Sequence, residues 1–390
     1  MLPFEAGLTV TLGLRDSKVT DVAIVSTRLV QASRLLAGRD PVQVTTLLPT
    51  LYALCGTAQA LAGAAAVEDA LGLLPSPLQR MARRFLLLLE ILTEHSFSIL
   101  RDWPALLDES PDLSPARLLR PLVHNARRSL YPDGDWARPG GGRLEVDAVA
   151  LGMILPPLKA LLAHIFAGSV DQIVDSPSLF DTWCEHGDGL PARLLRRVRQ
   201  SGLGGFGAAA SHFMPAEGPA DVGERLAADD GGRYLARPDY HGRVLETGSL
   251  SRQHAHPLVA GLLAQYGSGL LPRFAARMAE IAAALQEAED LVQDLSAEAV
   301  PPPSPGGSGI GLGRVDAARG LLIHGVTLKE GRVSTYKILA PTEWNFHPAG
   351  PLAAGLTGAR DDDGLIWRAR LLAAALDPCV ACRFEVAQYA

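Results

Sequence analysis

Four cysteines in 390 residues are too few to frame the fold with disulfides. Two of them form the single C-x-x-C of the chain, Cys379 and Cys382, and no second pair completes a four-ligand structural zinc site. Basic residues are not in excess: 36 Lys and Arg face 42 Asp and Glu, a net charge of -6. That argues against non-specific nucleic-acid binding, which needs a basic face. No apolar run reads as long enough to span a bilayer. The best, Ala148 to Leu158, is interrupted by Pro156 and Pro157 and followed by Lys159. The N-terminal MLPFEAGLTV carries Glu5 and lacks the basic segment of a signal peptide. No internal repeat is visible. These absences suggest a cytoplasmic chain without nucleic-acid or membrane partners, using its few cysteines for metal or redox chemistry.

What the sequence does have is core-forming material, with 48% hydrophobic and 20% charged residues. Alternation over Leu8–Leu14 and Val19–Ser26 predicts a hairpin turning at Arg15–Lys18. Helical spacing runs from Pro41 to about Leu73, from Leu78 to Leu100, from Val146 to Phe166 with a bend at the proline pair, and from His256 to Leu295, the last as two helices. Gly202 to Arg243 is rich in Gly, Ala and Asp and reads as an irregular connection. A flexible Pro/Gly loop over 301–313 precedes a second hairpin, Gly320–Thr327 and Arg332–Leu339, and a last helix, Leu365–Leu376. The expectation is one domain over 1–390, α+β and predominantly helical, with small β-sheets from both chain ends.

The strongest local signal is Asp377-Pro378-Cys379-Val380-Ala381-Cys382. Two cysteines three apart can bring both sulfurs to one metal, and soft thiolates suit zinc, iron or nickel. A thioredoxin-like pair would instead open a helix near the start of a domain. The plain alternative is two ordinary cysteines near a C-terminus.

The surrounding motifs resemble the large subunits of NiFe hydrogenases. That family ends in D-P-C-x-x-C and carries a stretch like G-x-G-x-V-E-A-x-R-G-x-L-x-H, similar to Gly311 through His324 here. Its P-T-x-W-N is matched by Pro341-Thr342-Glu343-Trp344-Asn345. Gly38-Arg39-Asp40-Pro41, Ala60-Leu61-Ala62 and Val67-Glu68-Asp69 also fit, and Glu5 stands where the family has a proton-passing Glu. The matches run in family order from Glu5 to Cys382 and are weak over Ala105–Leu250. The resemblance implies the hydrogenase large-subunit fold. Gly311-x-Gly313 follows a Pro/Gly loop and is not read as a dinucleotide loop.

The departures carry the functional expectation. Aligning on Ala60-Leu61-Ala62 puts Cys55 at the second cysteine of the family's N-terminal pair, Tyr52 at the first and Gln59 at the following His. In the family the second cysteine of each pair bridges nickel and iron, and the first holds nickel alone. The resemblance therefore implies that Cys55 and Cys382 would hold iron and that Cys379 is a leftover nickel-side ligand. Tyr52 is a hard phenol ligand, a poor substitute for thiolate, so no nickel is expected. The family's iron carries two cyanides and a carbon monoxide. With two thiolates it is a dianion, costly to bury without donors. Arg319 and Thr342 match the family's cyanide donors, and Ala318 replaces its Pro. Taken alone, Arg319 would be a surface Arg at a strand start.

Glu94-His95 lies where the family often has Asp-His, and Glu94 is read either over the metal pocket or on a solvated helix face. Ser33 and Glu385 replace a Glu and a His that help bind magnesium, which makes that ion doubtful. Cys184 reads as a buried thiol, and His254 and His256 as surface or cap residues.

The pattern is similar to HupK/HoxV-type accessory proteins. It implies a non-catalytic scaffold that transiently receives the Fe(CN)2(CO) unit from a HypC/HypD-type iron carrier complex and passes it to the apo hydrogenase large subunit. The alternatives are an active hydrogenase subunit with altered ligands, a relative from the respiratory NADH dehydrogenase complex, and a metal-free decoy of the large subunit.

Overall fold

A computed structural model describes residues 7–27, 32–210, 212–295 and 307–388. Its strands are β1 (Gly7–Arg15), β2 (Lys18–Ser26), β3 (His212–Phe213), β4 (Leu245–Glu246), β5 (Ile310–Ala317), β6 (Gly320–Lys329), β7 (Arg332–Leu339) and β8 (Ala381–Gln388). They form three small sheets, ordered β2-β1-β8, β3-β4 and β5-β6-β7. Helices fill the middle of the chain, as expected.

The β1–β2 hairpin follows from alternation and from Asp16 and Ser17, whose positive φ of 51 and 57 suits a two-residue turn. Strand β8 was not anticipated. It adds to the hairpin parallel to β1, with Leu8 opposite Cys382 and Val10 opposite Phe384. The first and last described strands are thus neighbours. The second hairpin is found as expected, but Ile310–Gly313 is not loop: it opens β5, which pairs antiparallel with β6. The part of the loop over 301–306 lies outside the described residues.

The expected helix from Pro41 is two helices, α1 (Pro41–Leu51) and α2 (Gly56–Leu71), bent by 105° at their junction. Asp40 caps α1 by accepting from the Val42 N–H at 2.8 Å, which accounts for Arg39-Asp40-Pro41. Helix α2 is rich in alanine because β5 lies directly on it. A Cβ at Gly311 would fall 2.0 Å from the Ala66 carbonyl oxygen, and one at Gly313 would fall 2.0 Å from that of Ala62. The two glycines permit strand-on-helix contact and form no phosphate loop.

Helix α3 (Pro77–Asp102) starts with Ser76 accepting from the Gln79 N–H at 3.2 Å. Its buried Phe85, Leu86, Leu89 and Leu92 belong to the same core cluster as Phe274, Met278 and Ile281 of the long helix Leu270–Asp294. Each such side chain contributes about 1.5–3 kcal/mol by leaving water.

The proline pair does not bend its helix. The break falls earlier, at Met153 and Ile154, and Pro156 and Pro157 occupy the first turn of Leu155–Phe166, where a missing N–H costs nothing. The whole stretch Ala148–Phe166 is long and apolar enough to cross a membrane by length and composition, contrary to the expectation. Nearly half of it is buried in the protein, with Leu158, Leu162 and Phe166 in the core.

Candidate functional site

The bend between α1 and α2 places the half-buried Tyr52 and Cys55 on the wall of a cavity. Gly56 eases the bend, because a Cβ there would press tightly, at 3.2 Å, against Pro49 of α1. The free N–H groups of Thr57 and Ala58, at the start of α2, donate to the buried Glu90 carboxylate at 2.6 and 2.9 Å. Burial pushes the Cys55 thiol up to about 12, and the nearby Glu90 and Cys379 add to the effect. Cys55 is therefore a neutral thiol until something displaces its proton.

Behind Cys55 runs a buried chain of polar groups. Gln59 Nε2 lies 3.7 Å from Cys55 Sγ, Gln59 Oε1 lies 3.0 Å from His324 Nε2, and His324 Nδ1 lies 2.8 Å from the Tyr336 hydroxyl. Burial holds His324 down at about 3, so its ring is neutral, with one donor and one acceptor. One assignment satisfies every group: Tyr336 donates to His324, His324 donates to Gln59, and Gln59 donates to the Cys55 sulfur.

Arg319 sits in the turn from β5 to β6. Gly320 must follow it, because its φ is +133 and a Cβ would fall 2.5 Å from Thr247 Oγ1. Arg319 is not the surface residue its isolated context suggests: its side chain is only 6% exposed. It donates to Glu94 at 3.0 Å and lies 3.6 Å from Asp377. Burial, only partly offset by Arg319, holds the Glu94 carboxyl up at about 7. Asp377 behaves oppositely. Burial disfavours its charge, but Arg277 and Arg319 outweigh that and hold the carboxyl at about 2. Asp377 also accepts from Ser98 at 2.7 Å, anchoring the turn that presents Cys379.

Thr342 lies in the first turn after β7, and its hydroxyl is 3.1 Å from Cys379 Sγ. Asn345 fixes this turn by accepting from the Thr247 N–H at 3.0 Å and donating to the Thr247 carbonyl at 2.8 Å.

Cys55, Cys379, Arg319 and Thr342 line one cavity of about 340 Å3, with Tyr52, Glu90 and Glu94 also on its wall. Cys382 does not line it. It faces an adjacent cavity of about 640 Å3, which Cys379 also lines. Among the described residues no three His, Cys, Asp or Glu groups are gathered as a metal cage. The order inferred within the C-terminal pair, with Cys382 beside Cys55, is thus not the order around the inner cavity.

Two thiols with a phenol at Tyr52 do not fit nickel, which in the hydrogenase pattern takes four thiolates. A cation and a hydroxyl beside two thiols do fit a group that presents cyanide-like anions to the wall and bare metal to sulfur.

Glu5 lies outside the described residues. Ser33 is buried and Glu385 is exposed on β8. Cys184 is buried, as expected. His256 stands at the N-cap of the helix Pro257–Tyr266. Sequence reasoning missed Glu90. Its signal was a carboxylate inside the apolar run Phe85–Leu92, one helical turn before Glu94 and so on the same face.

The chain is 32% identical over 403 residues to the hydrogenase expression/formation protein HoxV of Cupriavidus necator, covering 98% of this chain and 96% of that one. It is 30% identical over 376 residues to the HupK protein of the same description from Rhizobium leguminosarum bv. viciae, covering 95% and 93%. The chain belongs to the hydrogenase expression/formation protein family. Residues 210–384 also match the nickel-dependent hydrogenase family model. The fold is that of hydrogenase large subunits. The reduced Ni-Fe-Se hydrogenase of D. vulgaris Hildenborough superposes with a TM-score of 0.67 at 16% identity over 94% of each chain. An H2-reduced NAD+-reducing NiFe hydrogenase gives 0.65 at 17% over 93% of each. In this member of the expression/formation family three of the hydrogenase-like motifs converge: Gly311–His324, Pro341–Asn345 and Asp377–Cys382 each supply a wall of the inner cavity or brace one.

Proposed function

We propose that the chain is a non-catalytic accessory protein of NiFe hydrogenase maturation. It transiently holds the Fe(CN)2(CO) unit, received from a HypC/HypD-type carrier, for transfer to the apo large subunit. The reading is carried by one observation: two thiols, a guanidinium and a hydroxyl from four separate segments meet around a single cavity of about 340 Å3. Cys55 and Cys379 supply soft sulfur, and Arg319 and Thr342 supply hydrogen bonds to cyanide nitrogen. Membership in the expression/formation family supports the accessory role. Tyr52, in place of a thiolate, argues against a complete nickel–iron site and hence against hydrogen turnover.

The test is infrared spectroscopy of protein made with the maturation machinery and purified without oxygen, together with iron and nickel analysis. Carbonyl and cyanide bands with iron and without nickel are expected, and no viologen-linked hydrogen turnover. Absence of both iron and bands would replace this reading with a metal-free adaptor. Stoichiometric nickel with turnover would make the chain an enzyme.

A further inference from the structure

The three site cysteines lie in sequence across two cavities. Cys382 faces only the outer cavity of about 640 Å3, Cys379 lines both, and Cys55 faces only the inner one of about 340 Å3. Leu54 and Val380 border both cavities and, with Cys379, form the partition between them.

Strand pairing holds Cys382 on the outer side. In β8 the side chains of Cys382 and Phe384 share one face, and both line the outer cavity. The parallel register with β1 fixes that face, since a slip by one residue would turn every side chain over. The same cavity is lined by Arg101, paired with Asp102 at 2.7 Å, and by the exposed Arg370. The inner cavity holds the donors Arg319 and Thr342. Asp102 and Asp377 also line the outer cavity, and Glu90, Glu94 and Glu343 the inner one, so each has thiol, cation and carboxyl groups, but only the inner one has a buried guanidinium beside a hydroxyl.

We propose that the three thiols form a transfer path, with Cys382 as the receiving ligand, Cys379 as the shared one and Cys55 as the terminal one. This deepens the iron-cargo reading and rests on it. The cargo arrives in the outer cavity, drawn by Arg370, and its iron(II) bonds to Cys382 as the donor's thiolate leaves with the Cys382 proton. The Cys379 sulfur then bonds to iron from the partition as the donor's remaining ligand leaves with the Cys379 proton. In the last exchange the Cys55 sulfur forms its bond to iron as the bond to Cys382 breaks, and the Cys55 proton ends on Cys382. Iron stays iron(II) throughout, no electron is transferred, and the last step is proton-neutral. The cyanides then face Arg319 and Thr342. Release would retrace these steps, leaving Cys382 the thiol closest to an acceptor.

The path is tested with metal-free protein and a synthetic iron(II) dicyanocarbonyl thiolate complex under anaerobic conditions, following the carbonyl and cyanide bands with time. Cys382→Ser is expected to load about tenfold more slowly than wild type, because a pre-positioned first ligand is lost, yet to reach the same final bands. Cys55→Ser is expected to load at the wild-type rate and stop at a different band pattern, with the unit on the C-terminal pair. Arg370→Glu, outside the ligand set, is expected to slow loading without moving the bands. A parallel alkylation of the metal-free protein should label Cys382 before Cys55. Loading of Cys382→Ser at the wild-type rate, or labelling of Cys55 first, overturns the path while leaving the cargo reading intact. Failure of the wild type to take up any iron unit overturns both.

Discussion

Two buried arginines differ in how completely they are used. Arg273 and Glu246, at 1% and 2% exposure, meet through two hydrogen bonds of 2.8 Å, and Arg273 also donates to the Gly207 carbonyl at 3.1 Å. The guanidinium is spent on its neighbours. Arg319 has one hydrogen bond to Glu94, while its Nε and Asp377 Oδ2, 3.6 Å apart, are buried without a hydrogen-bond partner among the described residues. The first cluster is closed and ties β4 to the long helix. The second is open, stands on a cavity wall and keeps donor capacity for something else. Burial of an arginine is therefore not itself a functional signal; incomplete pairing beside a cavity is.

The sharpest way to break this contrast is Glu246→Ala. It strands a buried guanidinium and should lower unfolding free energy by about 3–5 kcal/mol in chemical denaturation. A loss no larger than that of a surface substitution would show that the closed cluster is not what holds β4.

The open cluster should reveal itself through pH. Glu94 is held up at about 7 in the folded chain against an ordinary 4.5. A carboxyl raised in this way favours the folded state most below the unfolded value, and that contribution is lost as pH rises through the folded value. Wild-type stability should accordingly fall between about pH 4.5 and 7, by on the order of 3 kcal/mol. Glu94→Gln should flatten that window, measured as urea midpoints across it. An unchanged slope in the variant would assign the effect to another group.

Arg319→Leu should leave the fold standing, because Asp377 keeps Arg277 and Ser98 and Glu94 can take a proton. Cargo retention should weaken by roughly 1.5–3 kcal/mol, the worth of a hydrogen bond to a charged group. Unchanged iron content and cyanide bands would remove Arg319 from the cargo's surroundings. The smallest effect belongs to neither cluster: Asp40→Ala at the exposed cap of α1 should cost about 1 kcal/mol by thermal unfolding and leave cargo bands untouched.

Much of the fold could be read from pattern. The β1–β2 hairpin and the helix Leu365–Leu376 follow from periods of two and of 3.6 residues. Strands β5 and β8 did not stand out, because what makes them strands is non-local. Ile310–Ala317 looks like a glycine-rich loop until it lies on α2, and Ala381–Gln388 extends only by pairing with β1. The site was legible in its residues and not in its directions. Motif order singled out Cys55, Cys379, Cys382, Arg319 and Thr342, with Cys382 and not Cys379 set beside Cys55. No spacing within C-x-x-C could show that Cys379 reaches the inner cavity while Cys382 faces only the outer one, since the register of a distant strand decides where Cys382 points. Glu90 stayed hidden because apolar neighbours made its stretch read as plain core.

The pairing of β8 with β1 also has a consequence during translation. The ribosome makes Cys55 long before it supplies Cys379, Cys382 and β8. β1 must wait with an open edge for a partner very far along the sequence, the kind of contact that forms slowly. A nascent or truncated chain would have the bend at Cys55 but no partition and no second cavity. Neither thiol chamber can therefore be complete before β8 has been made and paired, which, on the proposed reading, keeps shorter nascent copies from competing for the iron unit.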